Sequence, residues 1–404
     1  MLYTAYSAFA NTLAPWQALA SSMAGPILNK QVEHPWLRHF GATLETWSHL
    51  QLSHRRPAYG VHSVNIGGEE VPVQEEVSLS RPFGDLLHFK KAQPDPSSPK
   101  VLLVAPLSGH FATLLRDTVK TLLQDHDVYI TDWKNARDIP VTEGEFGLDD
   151  YIEYMIDFIA WMGPGVHVVA VCQPCVAALA SVSIMAEDDH IAQPRSLTLM
   201  AGPVDCRINP TEVNKLATTR PISWFEQNLI SHVPWNYSGA TRRVYPGFLQ
   251  LLAFMSMNPE RHKEQFISLR DHLAEGRMNE AATIEQFYLE YFAVNDLPAD
   301  FYLQTVSKVF QTYDLPKGEL RYRDRTVNPA AIRRTALMTV EGERDDVCAV
   351  GQTVAAQDLC TSIRPAFRDH LVQTGVGHYG VFSGRKWNQQ IYPRVRQLIY
   401  SRAA

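Results

Sequence analysis

Residues 165–180 read "GVHVVAVCQPCVAALA", and this stretch decides the fold. The apolar run "VHVVAV" (166–171) predicts a strand that is buried on both faces. "CVAALASVSIMA" (175–186) predicts a helix of small residues that begins almost at once. Cys172 therefore stands at a tight turn between a buried strand and a helix. This is the layout of a nucleophile elbow, the turn that presents a reactive side chain above a sheet.

The five positions of the elbow, Ala170-Val-Cys172-Gln-Pro174, depart from the usual G-x-S-x-G pattern. Cysteine replaces serine, and alanine and proline replace the two glycines. Alanine is still small, and proline suits the first turn of a helix because its missing N–H is not needed there. Two other interpretations stay open: Cys172 as an ordinary buried cysteine, or Cys172 and Cys175 as a C-x-x-C redox or metal pair.

Strands and helices alternate on both sides of this turn. Residues 101–107, 127–133 and 196–205 predict further strands, with helices at about 112–124 and 148–163. The alternation stops near Asp205 and resumes with strands at 335–340 and 367–373 and helices near 350–360 and 387–402. Such alternation predicts βαβ units and a mostly parallel sheet. Residues 60–92 alternate apolar and polar positions around Gly67-Gly68, which indicates a hairpin region.

These patterns divide the chain into three parts. We expect an N-terminal helical arm (1–40), an α/β core (60–205 and 331–404) and a helical cap inserted at 206–330. Pro15 should kink the arm helix or start a second one. The arm carries an apolar stripe at helical spacing, which either packs on its own domain or a second subunit, or anchors the chain on a hydrophobic surface. The stripe comprises Leu2, Tyr6, Phe9, Leu13, Trp16, Ala20 and Met23.

Composition narrows the class of protein. The chain has 404 residues, 45% hydrophobic and 20% charged, with a net charge of -6. It is therefore a globular protein, and too acidic to bind nucleic acid through bulk charge. An apolar run of about 18 residues is missing, so we expect no membrane span. The N-terminus lacks the basic region of a secretory signal. Five cysteines argue against a disulfide framework and for a reducing compartment.

Two loops after late strands supply partners for Cys172. Asp345 follows the strand at 335–340, and His378 lies in the glycine-rich loop "TGVGHYG" (374–380) after the next strand. The order nucleophile, acid, histidine is the one expected with such an elbow. His378 could take the thiol proton, and Asp345 could orient its imidazole. Asp346 is interpreted as a solvated residue at a helix N-cap, and Asp205 is the second candidate for the acid.

Attack on a carbonyl also needs two donors for the oxyanion. We expect one to be the backbone N–H of Gln173 and the other that of Leu107 or Ser108 in "PLSGHF" (106–111). The nearby His110 is either a substrate contact or a packed loop residue. Aromatic residues of the cap are candidate substrate contacts, or else pack the cap itself. They are Trp224, Trp235, Tyr245 and Phe248.

Several longer stretches resemble the intracellular poly(3-hydroxybutyrate) (PHB) depolymerases, α/β-hydrolase-fold enzymes of bacterial storage granules. They are "APLSGHFATLLRDTV" (105–119), "YITDWKNAR" (129–137), "AVCQP" (170–174), "EGERDDV" (341–347) and "GHYGVFSGRKW" (377–387). The resemblance runs nearly from end to end, and it carries the family's nucleophile, acid and histidine onto Cys172, Asp345 and His378. Polyhydroxyalkanoate synthases are similar too, but Pro174 departs from their second glycine.

The resemblance implies hydrolysis of ester bonds in amorphous PHB through a thioester on Cys172, on granules in the cytoplasm. It implies that the enzyme needs neither a cofactor nor a metal. The expected partner is a granule surface, and neither nucleic acid nor a membrane is expected to bind. Alternatives are a polyester synthase or acyltransferase, a thiolytic depolymerase with coenzyme A as acceptor, and an inactive granule-binding protein. The oligomeric state stays open, a homo-oligomer included.

Overall fold

The computed structural model describes residues 2–29, 32, 34–257 and 259–403. The strands of these residues are β1 (Ser63–Ile66), β2 (Glu69–Ser80), β3 (Gly84–Lys91), β4 (Lys100–Val104), β5 (Asp127–Trp133), β6 (His167–Val171), β7 (Ser196–Met200), β8 (Ser231–His232), β9 (Arg243–Tyr245), β10 (Leu297–Pro298), β11 (Arg321–Tyr322), β12 (Arg325–Thr326), β13 (Ala336–Gly342) and β14 (Arg368–Gln373). At the centre lies a nine-stranded sheet in the order β1-β2-β3-β5-β4-β6-β7-β13-β14.

Six neighbouring strands of this sheet, β5, β4, β6, β7, β13 and β14, run parallel. The first three strands add an antiparallel edge, and Gly67 and Gly68 make the β1–β2 turn with positive φ angles. Strands β6 and β7 are buried at every position, as apolar runs covered on both faces should be. The mostly parallel sheet predicted from the alternation is therefore confirmed, and so is the α/β-hydrolase fold that the resemblance implies.

Helices connect the parallel strands and build the two other parts of the molecule. They are α1 (Leu2–Leu28), α2 (Pro35–Ser48), α3 (Arg116–Leu123), α4 (Leu148–Met162), α5 (Cys175–Glu187), α6 (Glu212–Thr218), α7 (Ile222–Leu229), α8 (Gly247–Met257), α9 (Pro259–Glu275), α10 (Met278–Tyr291), α11 (Ala299–Thr305), α12 (Asp314–Lys317), α13 (Ala355–Leu359), α14 (Gly384–Lys386) and α15 (Tyr392–Ser401).

The cap enters between β7 and β13, which are hydrogen-bonded neighbours in the sheet. Helices α6–α12 dominate it, as expected, but it also contains a small antiparallel sheet of β10, β9 and β8. These strands have two or three residues each, which is too short for an alternating pattern to show in the sequence. The insertion leaves the parallel sheet continuous, so the elbow after β6 and the loops after β13 and β14 stay at one edge.

The arm differs from its sequence interpretation in three ways. Helix α1 continues through Pro15, so the second helix that we considered there does not begin, and α2 extends the helical arm beyond residue 40 to Ser48. The side of α1 that faces the protein carries Tyr3, Gln17, Ala20 and Ala24. Phe9, Trp16 and Met23 of the expected stripe are exposed. The side chain of Leu2 lies outside the described residues.

Tyrosines attach the arm to the base of the cap. The Tyr3 hydroxyl donates to the buried carboxylate of Asp296, and Tyr6 stacks on Phe248 with ring centroids 3.9 Å apart. The Tyr6 hydroxyl also lies 2.9 Å from His54 Nε2. The arm therefore packs on its own chain.

In the described part of the chain, no helix has both the length and the apolar composition needed to cross a membrane.

Candidate active site

The turn after β6 holds Cys172 in a left-handed conformation, with φ at 67°. A non-glycine residue in this region costs about 1–3 kcal/mol and persists only where its surroundings enforce it. Two backbone hydrogen bonds do so: Cys172 N donates to Met200 O (2.7 Å), and Cys175 N donates to Cys172 O (3.1 Å). The partly exposed Cys172 is thus presented by a strained strand-to-helix turn.

Gly202 explains how the next strand passes so close to this turn. A Cβ atom at this position would lie 2.2 Å from Cys175 Sγ and 3.0 Å from Cys172 O. Any larger residue would push the elbow away from β7. Cys175 itself belongs to the core, where Sγ lies 3.4 Å from Ala170 O and burial raises the pKa of the thiol. Of the two cysteines in the C-x-x-C pair, only Cys172 is accessible.

The acid and the histidine come from two loops that are tied together. Glu343 N donates to Gln373 O and Arg344 N to Val376 O, at 3.0 and 2.9 Å. Gly342 allows this approach, because a Cβ atom there would lie 2.7 Å from Val376 O. The strand exits of β13 and β14 therefore fix Asp345 and His378 against each other, although 33 residues separate them in the chain.

His378 Nδ1 lies 2.8 Å from Asp345 Oδ2, and both side chains are almost completely buried. The other carboxylate oxygen of Asp345 accepts from Val347 N (2.9 Å) and Cys348 N (2.8 Å). Burial disfavours the imidazolium, but the Asp345 carboxylate and the nearby Cys172 outweigh this and raise the pKa of His378 well above its ordinary value.

Asp345, and not Asp205 or Asp346, is the carboxylate that pairs with the histidine. Asp205 forms a bidentate ion pair with Arg207, at 2.8 Å from Nε and 2.7 Å from Nη2. Burial opposes ionisation here, but the hydrogen bonds from Arg207 hold the pKa of Asp205 below its ordinary value. Asp346 is exposed, as expected, but α13 begins only at Ala355, so its expected role at a helix N-cap is wrong.

The oxyanion candidates lie around the elbow. The backbone N–H of Gln173 has no acceptor within the described residues, so it is free for a substrate oxygen. Leu107 N donates at 3.2 Å to the side-chain Oε1 of Gln173. Ser108 follows in the same loop, and Asn295 N holds the loop by donating to Gly109 O (2.9 Å). Leu107 therefore lies beside the elbow, with its backbone N–H directed at the residue that follows the nucleophile.

The candidate substrate residues fall into three environments. Tyr245 and Phe248 are buried in cap packing, Tyr245 against Tyr302 and Phe248 against the arm, so the structure places neither beside His378. Trp235 is 89% exposed and Trp224 37% exposed on the outside of the cap. His110 is buried and stacks between Tyr291 and Phe254. Burial lowers the pKa of His110 to about 4, so its ring is neutral.

Aromatic residues that sequence reasoning missed stand next to the histidine. Tyr379 and Phe382 contact the His378 ring edge-on, with centroids 5.8 and 5.7 Å away. Tyr379 contacts Tyr291 of α10, and the two hydroxyls are hydrogen-bonded. Position 379, directly after the histidine in "GHYG", was the available signal for Tyr379. Tyr291 gave none, because only the fold brings α10 to this loop.

The parallel sheet, the elbow after β6 and the late strand loops define an α/β-hydrolase-fold ester hydrolase. The family model described as "PHB de-polymerase C-terminus" matches residues 201–403, half of the chain. The chain belongs to the PHB depolymerase family. A comparison with curated proteins found no match.

Solved structures with a similar fold share little sequence with this chain. A putative lipase from Acinetobacter baumannii AYE is 13% identical, with 81% of this chain and 93% of the lipase covered and a TM-score of 0.44. Naproxen esterase from Bacillus subtilis is 12% identical, with 92% of this chain and 99% of the esterase covered and a TM-score of 0.42. An alpha/beta hydrolase from Penicillium sp. sh18 is 14% identical, with 82% of this chain and 99% of that hydrolase covered and a TM-score of 0.46.

Proposed function

We propose that this ester hydrolase cleaves amorphous PHB through a thioester on Cys172 and releases 3-hydroxybutyrate and short oligomers. One observation carries the proposal: Cys172 stands on a strained elbow and interacts electrostatically with His378, whose Nδ1 lies 2.8 Å from Asp345 Oδ2. A nucleophile, a base and a group that orients the base are the requirements of covalent acyl transfer. The polyester enters the proposal through the family.

The chemistry follows from these contacts. The Cys172 thiolate attacks the ester carbonyl carbon, and the carbonyl oxygen becomes the oxyanion. The imidazolium of His378 then donates its proton to the departing alkoxide, which leaves as an alcohol and a thioester forms. Next, neutral His378 takes a proton from water, whose oxygen attacks the thioester. Collapse of this second intermediate releases the carboxylic acid and restores the thiolate beside the imidazolium.

An apolar groove offers a path for the polymer between the arm and the cap. Trp47 of α2, Leu252 of α8 and Phe266 of α9 line it. Packed aromatic rings connect this groove with the histidine, from Phe266 to Tyr288 (4.4 Å between centroids), to Tyr291 (6.2 Å) and to Tyr379 (6.4 Å), the neighbour of His378, and the polymer would have to displace them to reach Cys172. A polyester chain carries methyl groups and ester carbonyls, so it suits a mostly apolar path with a few hydroxyl groups.

The granule surface is the partner we propose for the outer side of α1. Phe9, Trp16, Leu19 and Met23 are exposed there, at intervals of 7, 3 and 4 residues that place them on one helix face. Residues 2–28 contain no charged side chain. Docking this face, which we call the arm face, on an uncharged polyester would bury apolar surface without desolvating an ion. The proposal places the enzyme on storage granules in the cytoplasm.

Incubation of the purified protein with native amorphous PHB granules tests the proposed function. We expect soluble 3-hydroxybutyrate and oligomers to appear without coenzyme A. If 3-hydroxybutyryl-coenzyme A is released instead, and only when coenzyme A is added, then the thiol of coenzyme A is the acyl acceptor and water is not. Growth of polymer from hydroxyacyl-coenzyme A would instead identify a synthase, and granule binding without any product would identify a scaffold.

A further inference from the structure

The second donor of the oxyanion hole is already occupied. Leu107 N donates at 3.2 Å to Oε1 of Gln173, the residue that follows the nucleophile. A backbone N–H points in one direction only, so its acceptor marks the place that any competing acceptor must take. The Gln173 side-chain oxygen thus lies where a substrate oxygen would have to lie to use the Leu107 N–H.

The neighbouring groups fix the orientation of this amide. The Leu107 N–H needs an acceptor, so the oxygen of the Gln173 amide faces it, and not the NH2 group. The Tyr151 hydroxyl lies 3.4 Å from the same oxygen and 3.3 Å from Ala105 O. Burial raises the pKa of Tyr151 well above its ordinary value, so this hydroxyl keeps its proton and can donate it. The Leu107 N–H thus fixes the amide oxygen, and the single hydroxyl hydrogen of Tyr151 is shared between this oxygen and Ala105 O.

We propose that the Gln173 side chain occupies the oxyanion hole of the resting enzyme and that the substrate carbonyl displaces it. The inference rests on the acyl-transfer site proposed above. Gln173 Oε1 is a neutral carbonyl oxygen, so it competes on equal terms with a ground-state ester. An oxyanion accepts a charge-assisted hydrogen bond and competes better. Gln173 therefore weakens substrate binding, and a substrate must push it aside before its carbonyl can be polarised.

Methionine and glutamate at position 173 test this with matched side-chain lengths. Gln173→Met removes the amide oxygen and keeps the backbone N–H, so we expect KM to fall about fivefold, the value of one neutral hydrogen bond, while kcat stays within about twofold. Gln173→Glu places a carboxylate in the hole, which binds the Leu107 N–H more strongly and repels the oxyanion. Its kcat/KM should fall tenfold or more.

The assay uses p-nitrophenyl butyrate, which contains a single ester, so failure on the polymer would not affect it. Butyraldehyde is a second probe, because its hemithioacetal with Cys172 places an oxygen in the same hole. Its inhibition constant should fall about fivefold in Gln173→Met. If the wild type fails to hydrolyse p-nitrophenyl butyrate, the proposed function is in doubt, and butyraldehyde protection of Cys172 from iodoacetamide still measures access to the hole.

A purely structural Gln173 would give the opposite result. In that case Gln173→Met would raise KM, or lower kcat more than twofold, and weaken butyraldehyde binding, and the proposal would be overturned. If this variant loses its melting transition, Tyr151→Phe replaces it, because it removes one donor from the Gln173 oxygen. Ala105 O then keeps its bond from Trp133 Nε1 (2.8 Å). A folded Tyr151→Phe with unchanged or higher KM would also reject the proposal.

Discussion

The core and the arm use their apolar residues in opposite ways. In β6 and β7 every side chain is buried, and the core around them reaches from Tyr59 to Ile399. In α1 the buried side consists of Tyr3, Gln17, Ala20 and Ala24, whereas Phe9 is 64% and Trp16 61% exposed. Bulky apolar residues therefore hold the core together, but four of those in α1 (Phe9, Trp16, Leu19 and Met23) are exposed to solvent.

This difference shows that helical periodicity in a sequence does not identify the buried side of a helix. A stripe at 3–4-residue intervals shows that apolar side chains share one face of a helix, but it does not show what that face contacts. Small residues such as Ala20 and Ala24 allow α1 to pack closely against the protein, and they attract less notice in a sequence than Trp16. The contacts that hold the arm, Tyr3 with Asp296 and Tyr6 with Phe248, join residues more than 240 positions apart.

The largest effect should come from the only accessible cysteine of the core. Cys172→Ala should reduce turnover of p-nitrophenyl butyrate by about 10⁴–10⁶-fold, because the residual rate then depends on binding and the oxyanion hole alone. Its melting temperature should stay near that of the wild type, since alanine keeps the same backbone. Kinetics and thermal unfolding measured on one preparation check both statements.

Cys175→Ala is the matched control, three residues away and fully buried. We expect it to retain activity within a few-fold and to lose about 1–2 kcal/mol of stability through the small cavity that it leaves. An inactive Cys175→Ala beside an active Cys172→Ala would move the nucleophile to position 175 and refute the elbow geometry.

The next largest effect concerns the two adjacent aspartates. Asp345→Asn should lower kcat by about 10⁴-fold, because asparagine presents an NH2 group or a neutral oxygen to His378 and favours the wrong tautomer. Asp346→Asn should stay within about threefold of the wild type, since Asp346 is exposed. Steady-state kinetics on the same ester measure both variants. Equal losses of kcat would contradict the assignment of Asp345 as the carboxylate that orients His378.

The pH profile of Asp345→Asn adds a qualitative test. In the wild type, Asp345 and Cys172 keep His378 protonated well above its ordinary pKa, so acylation should decline only as pH rises through that raised value. Without the carboxylate, burial disfavours the imidazolium with less opposition. The alkaline limb of the residual kcat/KM should therefore move to lower pH, and a limb that moves to higher pH would contradict this account.

Much of the core could be predicted because its signals are local. The run 127–133 became β5 (Asp127–Trp133) with the same limits, and Gly342 and Gly377 indicate the loops that hold Asp345 and His378. Roles that depend on tertiary approach could not be predicted. The sequence left Asp205 as the second candidate for the acid, and the structure pairs it with Arg207. The contact of the Gln173 side chain with Leu107 N likewise depends on how two separate loops approach each other.

The smallest and most selective effect should appear at the arm face. Phe9→Ser combined with Trp16→Ser should weaken granule binding about tenfold or more, because full burial of one large apolar side chain contributes about 1.5–3 kcal/mol. A granule pull-down at several protein concentrations measures this. Hydrolysis of p-nitrophenyl butyrate and the melting temperature should stay close to wild type, since both side chains are already exposed to solvent.

Two controls separate docking from packing. Trp235→Ser changes an even more exposed tryptophan on the cap, so it should leave granule binding unchanged if the arm face is the docking surface. Ala24→Leu overfills the buried side of α1 and should cost about 1–3 kcal/mol of stability. These substitutions are sharper than deletion of residues 1–24, which would also strip Tyr3 from the buried Asp296. If Trp235→Ser abolishes granule binding and the arm variants do not, the polymer-facing surface belongs to the cap, and the exposed side of α1 needs a different partner.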